Sequence, residues 1–237
     1  MSSEIKFWNL HEPEDQTQKF RINWDKTVDL EQIVCPVYPN HRRGGRRTRD
    51  LSAVLKKRQT FDIMWTWHNE CLIQQRTLKA FQEQGFTGFY AKPVQARFKR
   101  PVPSEPPTFW ELVVTGWAGL ASPESGIRLD QTKSCSHCGS LRYTKATDYS
   151  RLIDDKTWDG SDFFMVWPLP KYIFVADRVR EFIQKNDIRL TEFARPADLQ
   201  PKTPVDKLLQ VRFGPGRLSH WMPEERAHEL GDALGIY

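Results

Sequence analysis

No apolar run in this sequence approaches the roughly 18 residues that a membrane helix needs, so no membrane partner is expected. The opening stretch, "MSSEIKFWNLHEPEDQ", has no basic segment followed by an apolar one. It does not read as a secretory signal, and the expected location is the cytoplasm. Cysteine is scarce, with four residues in 237. In a reducing compartment that number excludes a disulfide framework, so paired cysteines read as metal ligands or redox groups. G-x-S-x-G, H-E-x-x-H and P-loop motifs are all missing. "GGRRTRD" has adjacent glycines, but no strand precedes them and no Lys-Ser/Thr follows, so a phosphate cradle is unsupported. The six histidines, His11, His41, His68, His137, His220 and His228, are scattered and belong to no motif. Acid–base catalysis needs a positioned pair of groups, and the sequence names none. The chain is not expected to be an enzyme.

What is present is a globular composition. Hydrophobic residues make up 39%, enough for a real core. Of the tryptophans, Trp65, Trp67, Trp110, Trp117, Trp158 and Trp167 fall in or beside predicted strands and are expected to fill core. The net charge of +5 is matched by five arginines inside "HRRGGRRTR" (Arg42, Arg43, Arg46, Arg47 and Arg49), so the rest of the chain is close to neutral. Residues 35 to 50 read as an exposed loop carrying that charge. A basic loop of this kind supports one alternative function, nucleic-acid binding through residues 42–49, although solvation is its simpler role. A weaker basic and aromatic interleaving occurs in "YAKPVQARFKR", at Tyr90, Lys92, Arg97, Phe98, Lys99 and Arg100.

The periodicity predicts an opening strand at "IKFWNL" and a short helix through "LSAVLKKR" capped by Asp50. A strand is expected over Phe61 to Trp67. A helix should then run from Asn69 to about Gln84, with Cys71 in its first turns and Gly85 as its stop. "FTGFYAKPVQARFK" is extended, and "FWELVVTGWAGL" is an apolar strand after the prolines at 101, 103, 106 and 107. "FFMVW" is a strand, Pro168 and Pro170 make a turn, "VADRVREFIQKND" is a helix, and "IRLTEF" is extended. The tail carries a short amphipathic piece, "VDKLLQVRF", and a helix in "MPEERAHELGDAL" that begins at Pro223 with Glu224 and Glu225 suiting its dipole.

Two of these stretches, 61–98 and 163–198, repeat strand, Trp, turn, helix and extended segment in the same order, matching Trp67 with Trp167 and Phe81 with Phe182. The expected fold class is therefore α+β: two related strand-helix-strand units packed together, with a small C-x-x-C knuckle between them. Between the units, "DYSRLIDDKTWDGSDFF" holds Asp148, Asp154, Asp155, Asp159 and Asp162 without EF-hand spacing; a solvated acidic loop is preferred over a cation site.

In "KSCSHCGSLRY", Cys135 and Cys138 form a C-x-x-C-G turn of the kind that presents two thiolates to one metal. A tetrahedral site needs two more ligands. "VCPVYPNH" supplies Cys35 where a second knuckle would begin, but Tyr38 stands where its second Cys is expected, with His41 three residues further on. His137, inside the knuckle, should point away from a shared metal. Three readings stay open: a complete site from Cys35, His41, Cys135 and Cys138 holding structural zinc; a vestigial turn that has lost its metal, which the eroded first knuckle favours; and redox chemistry or unnamed ligands.

The order of these features, "KFW", "CP" near residue 35, "CSHCG", the acidic loop and then "DFFMVWPLPKYIFVADRVREFI", resembles the bacterial double-CXXCG motif family. Several members are classed as immunity proteins that neutralise a toxin passed between neighbouring cells. The resemblance covers residues 1–198, leaving 199–237 as an unmatched C-terminal extension. It implies a non-enzymatic immunity protein whose partner is a cognate protein toxin, bound stoichiometrically, with nucleic acid not expected as a partner. Cys35, Cys135 and Cys138 match the family pattern and Tyr38 departs from it. The net positive charge argues against a nuclease as the toxin.

Overall fold

A computed structural model of the protein describes residues 7–13, 23–24, 30–56, 60–66, 70–100, 103, 105–189, 191–199 and 216–237. The fold is mixed α+β, with three sheets and few helices. Among the described residues no helix is long and apolar enough to cross a membrane.

The strands are β1 (Phe7–His11), β2 (Asn23–Trp24), β3 (Leu30–Val34), β4 (Arg42–Arg47), β5 (Leu51–Leu55), β6 (Ile63–Trp65), β7 (Cys71–Gln74), β8 (Phe89–Phe98), β9 (Phe109–Val114), β10 (Gly116–Leu120), β11 (Phe163–Trp167), β12 (Ile173–Ala176) and β13 (Glu192–Ala194). The helices are α1 (Gln75–Glu83), α2 (Asp177–Lys185) and α3 (Glu224–Gly231). A five-stranded sheet runs β10-β11-β12-β1-β13, a six-stranded sheet runs β2-β5-β8-β9-β7-β6, and β3 and β4 form a separate hairpin.

The central strands bury both faces. Along β11, Phe163, Met165 and Trp167 enter the main core, while Phe164 and Val166 face a second core with Phe7, Leu152 and Phe174. The main core takes one face of each large sheet, the apolar sides of α1 and α2, and four residues of the tail, Leu218, Met222, Ala227 and Ile236. A third core around Leu51, Ala53, Leu55 and Phe109 covers the far face of the six-stranded sheet. Trp65, Trp117 and Trp167 are buried as expected; Trp67 lies outside the described residues.

Several sequence expectations are corrected. "LSAVL" is the strand β5, not a helix. Its burial alternates, with Leu51, Ala53 and Leu55 inward, and pairing with β2 and β8 outweighs the capping signal at Asp50. The first long helix starts at Gln75. Cys71, Leu72 and Ile73 belong to β7, between β6 and β9, so Cys71 is a strand residue and the proposed cap Asn69 lies outside the described residues. Val175 likewise belongs to β12, and α2 begins at Asp177. The basic stretch is not a loop: Arg42–Arg47 is the strand β4, paired antiparallel with β3. The segment "VDKLLQVRF" lies outside the described residues.

Two chain segments run alike. β6 and β7 form an antiparallel hairpin leading into α1 and then β8; β11 and β12 form one leading into α2 and then β13. In each sheet a strand from elsewhere, β9 or β1, lies antiparallel between the second hairpin strand and the strand after the helix. Both helices end in the same hydrogen-bonded turn, Phe86 N–H to Phe81 O and Ile188 N–H to Ile183 O, each 3.1 Å. The turn requires a left-handed residue, supplied by Gly85 (φ 63°) and by Asp187 (φ 49°).

The segments are joined by two buried aspartates, Asp62 and Asp162, each just before a hairpin. Asp62 accepts the backbone N–H of Arg189 at 3.2 Å and pairs with Arg76 at 2.6 Å. Asp162 accepts the backbone N–H of Thr87 at 2.7 Å and pairs with Arg178. The backbone joins reciprocally: Ile63 N–H donates to Arg189 O at 3.3 Å and Phe163 N–H to Thr87 O at 3.0 Å. Each clasp holds the residues just past one helix against the start of the other segment's hairpin.

Candidate metal centre

Cys35, His41, Cys135 and Cys138 come together from two distant parts of the chain, and their ligand atoms all lie within 4.8 Å of one another. The β3–β4 hairpin makes the first half. Val34 pairs with Arg42, and Cys35 N–H donates to His41 O at 3.1 Å, which sets the two side chains at the hairpin's closed end. Tyr38 N–H points at the Cys35 sulfur, at 3.3 Å, as the backbone of a knuckle turn would, although residue 38 is not a cysteine. The hairpin then brings His41 into the cluster beside Cys35.

The second half is the turn from Cys135 to Ser140, closed by Cys135 N–H donating to Ser140 O at 2.8 Å. Gly139 has φ 63°, and a Cβ there would strike the Arg217 guanidinium. Arg217 donates from Nε to the Gly139 carbonyl at 3.1 Å and from Nη1 to Gly235 O at 3.2 Å, so the tail braces the knuckle.

The two halves meet at the sulfurs, with Cys35 Sγ and Cys135 Sγ 3.9 Å apart. Two sulfurs each about 2.3 Å from one ion at a tetrahedral angle would be about 3.8 Å apart. The Cys135 thiol is pulled down to about 6, first by the Cys138 backbone N–H and also by the His41 side chain and the His137 backbone N–H. The Cys138 thiol is pushed up, first by burial and then by the neighbouring Cys135 and Cys35 thiols. One thiol of the cluster is therefore ready to ionise, and its charge opposes ionisation of the next, a conflict that a bound cation removes. Three thiols and an imidazole in this geometry could hold a metal ion.

All four residues singled out in the sequence are thus in one place, and the convergence gives the vestigial reading no support. His137 is outside the cluster, its ring 6.2 Å from that of Tyr38. Cys71 is buried in β7, and burial pushes its thiol well up, so it is poorly suited to nucleophilic work.

Two of the arginines of β4 pair with acids elsewhere in the protein. Arg46 pairs with Glu224 of α3 at 2.9 Å, and Arg47 pairs with the buried Glu111 of β9. Arg46 and Tyr237 together hold the Glu224 carboxyl below the usual range. In "YAKPVQARFKR", strand alternation puts Tyr90, Lys92 and Phe98 on one face and Arg97 on the other, with β8 enclosed between β5 and β9.

Four of the five aspartates of the acidic loop make contacts that shape the chain. Asp148 and Asp154 accept the backbone N–H groups of Ser150 and Lys156, at 2.9 and 3.0 Å, and so cap short 3-10 turns. Asp159 accepts the Trp117 N–H at 3.0 Å and pairs with Arg226. Asp162 forms the second clasp. The sequence signal for the reciprocal clasps is slight: an Asp directly before each apolar strand, in "FDIMW" and "SDFFMVW".

No family model matches the chain, and no curated protein matches its sequence.

Proposed function

We propose that this chain is a non-enzymatic immunity protein that binds and neutralises a cognate bacterial toxin, and that Cys35, His41, Cys135 and Cys138 hold a zinc ion that is structural. The observation behind the zinc reading is the convergence of three thiols and one imidazole within 4.8 Å. Four protein ligands close a tetrahedral site, leaving no position for water or substrate, so the ion would contribute to folding and not to chemistry. The toxin reading rests on the sequence resemblance carried by Cys35, "CSHCG" and the segment 162–183. It is compatible with a body in which Arg46 and Arg47 of β4 pair with Glu224 and Glu111. Those ties engage two of the five arginines on which the nucleic-acid alternative relies.

The finer architecture proposed is two related units. The support is positional: Asp62 and Asp162 stand 100 residues apart, while Arg76 and Arg178, Gly85 and Asp187, and Thr87 and Arg189 each stand 102 apart. On that register Phe81 matches Ile183 and Thr77 matches Val179, all four buried, instead of the Phe81–Phe182 match suggested by sequence. The β11–β12 hairpin has two residues more than the β6–β7 hairpin.

The place of His41 in the cluster gives a direct test of the ligand set. His41→Ala is expected to weaken zinc binding at least 100-fold in a chelator competition, and Tyr38→Cys added to it should restore binding, because Tyr38 N–H already faces the Cys35 sulfur. For the toxin reading, the test is rescue of a host expressing each toxin encoded beside this chain's gene, together with co-purification of a one-to-one complex. Failure to rescue against every such toxin would refute it.

A further inference from the structure

The three thiols of the cluster differ in how they can be reached. Cys35 and Cys135 are buried, and Cys138 is half-buried. Beside the cluster lies a cleft of about 710 Å³ whose lining includes Tyr38, Asn40, His41, Ser134, Cys135 and His137. Neither Cys35 nor Cys138 lines it, so Cys135 is the cluster cysteine that this cleft reaches. Behind Cys135 stands Cys35, with the two sulfurs 3.9 Å apart. The two belong to opposite halves of the site. Cys35 is fixed in the hairpin by its N–H to His41 O, and Cys135 in the knuckle by its N–H to Ser140 O. Their sulfurs therefore meet across 100 residues of chain. Cys71 is buried in β7 and outside the cluster.

We propose that the cluster is a redox switch: a hydroperoxide entering by this cleft converts the metal clip between hairpin and knuckle into a Cys35–Cys135 disulfide and releases the zinc. The release rests on the structural-zinc reading; the cross-link rests on the sulfur positions alone. In the first step the Cys135 thiolate attacks the peroxide. An S–O bond forms, the O–O bond breaks, and the departing oxygen leaves as water after taking a proton from solvent. The Cys35 thiolate then attacks the Cys135 sulfur. An S–S bond forms, the S–O bond breaks, and hydroxide leaves as water after taking a second proton. Two thiolates, one hydrogen peroxide and two protons thus give one disulfide and two waters. The sulfurs lose two electrons and the peroxide oxygens gain them. His41 and Cys138 alone fill only half of a tetrahedral site, so zinc is lost. The hairpin stays joined to the knuckle, now covalently, and a link that closes a long loop stabilises the fold by restricting the unfolded chain.

The test is hydrogen peroxide added in equal amount to the purified full-length chain. Released zinc is read with a chromogenic chelator and the cross-link by denaturing electrophoresis without reductant. Zinc content before the addition checks the structural-zinc reading separately. One zinc is expected to leave per disulfide formed. A faster band is expected to appear, because a link between residues 35 and 135 compacts the denatured chain, and a thiol reductant should return it to its original position. Cys35→Ser should lose the fast band completely, Cys138→Ser should keep it, and Cys71 should stay reduced because it is buried in β7. Zinc release without a fast band, as a disulfide inside the Cys135–Cys138 turn would give, would overturn the proposal. So would a fast band that persists in Cys35→Ser, or a zinc-loaded chain whose cysteines all stay reduced in excess peroxide. A zinc-free chain that still forms the fast band would refute the zinc reading and its release while upholding the cross-link.

Discussion

Cys135→Ser is expected to leave the protein without zinc, where the unmodified chain carries one ion per molecule, and to lower its melting temperature by about 6–12 °C. The shift follows from a loss of about 3 kcal/mol in a chain of this size, at roughly 2–4 °C per kcal/mol. Structural zinc is worth about 10–16 kcal/mol to isolated zinc-finger peptides at neutral pH. Here much of the fold stands on three hydrophobic cores away from the cluster, so only part of that value should appear as lost stability. Cys135 is the residue to choose because its sulfur faces Cys35 at 3.9 Å and its backbone closes the knuckle turn. Chelation of the unmodified protein should reproduce the shift, and the variant should not respond to chelator. Cys71→Ala serves as control: it removes a buried thiol from β7 but should keep one zinc per chain. Atomic absorption and thermal unfolding of the same samples give both readings.

Asp162→Ala is expected to destabilise the fold by about 1–3 kcal/mol, the range for leaving a hydrogen-bond donor without its acceptor. The carboxylate has three jobs, accepting the Thr87 N–H at 2.7 Å and the Thr87 hydroxyl at 3.0 Å and pairing with Arg178. Arg178 is more than half exposed and can turn to water. Most of the cost therefore falls on the N–H left without an acceptor and on the lost join between the hairpin and the residues after α1. Asp62→Ala should cost less, because Arg76 is more exposed and the Arg189 N–H bond is longer, at 3.2 Å. Asp162→Asn keeps an acceptor oxygen and should cost about half as much as Asp162→Ala. Urea unfolding checks this: the midpoint should fall in the order unmodified, Asp162→Asn, Asp162→Ala, with an unchanged slope.

Strands with dense apolar or β-branched sequence were legible in advance. β1 and β11 sit where "IKFWNL" and "FFMVW" placed them, while "FWELVVTGWAGL", expected as one strand, divides after Val114 into β9 and β10 of different sheets. Both long helices begin later than the periodicity predicts, α1 by several residues and α2 by two, for one physical reason. In each case the second hairpin strand passes into the helix with no side-chain cap, at Gln74 and at Ala176, so no Ser, Thr, Asp or Asn marks the change. The extended state of Arg42–Arg47 was hidden because two glycines and four arginines carry little strand propensity. Pairing with β3, and the ties of Arg46 to Glu224 and Arg47 to Glu111, accompany it instead. The four cluster residues were each legible by type and spacing. Their convergence was not, since it depends on a hairpin drawing His41 to Cys35 and on a knuckle 100 residues away meeting them. The clasps were illegible because Asp62 and Asp162 resemble ordinary turn acids until the opposite segment's N–H groups are in place.

X-ray absorption at the zinc edge of the purified full-length chain tests the central claim most directly. The account predicts one zinc per molecule with three sulfur ligands at about 2.3 Å and one nitrogen at about 2.0–2.1 Å. A first shell of two sulfurs with oxygen ligands, or protein prepared without chelator that holds no stoichiometric zinc, would contradict it.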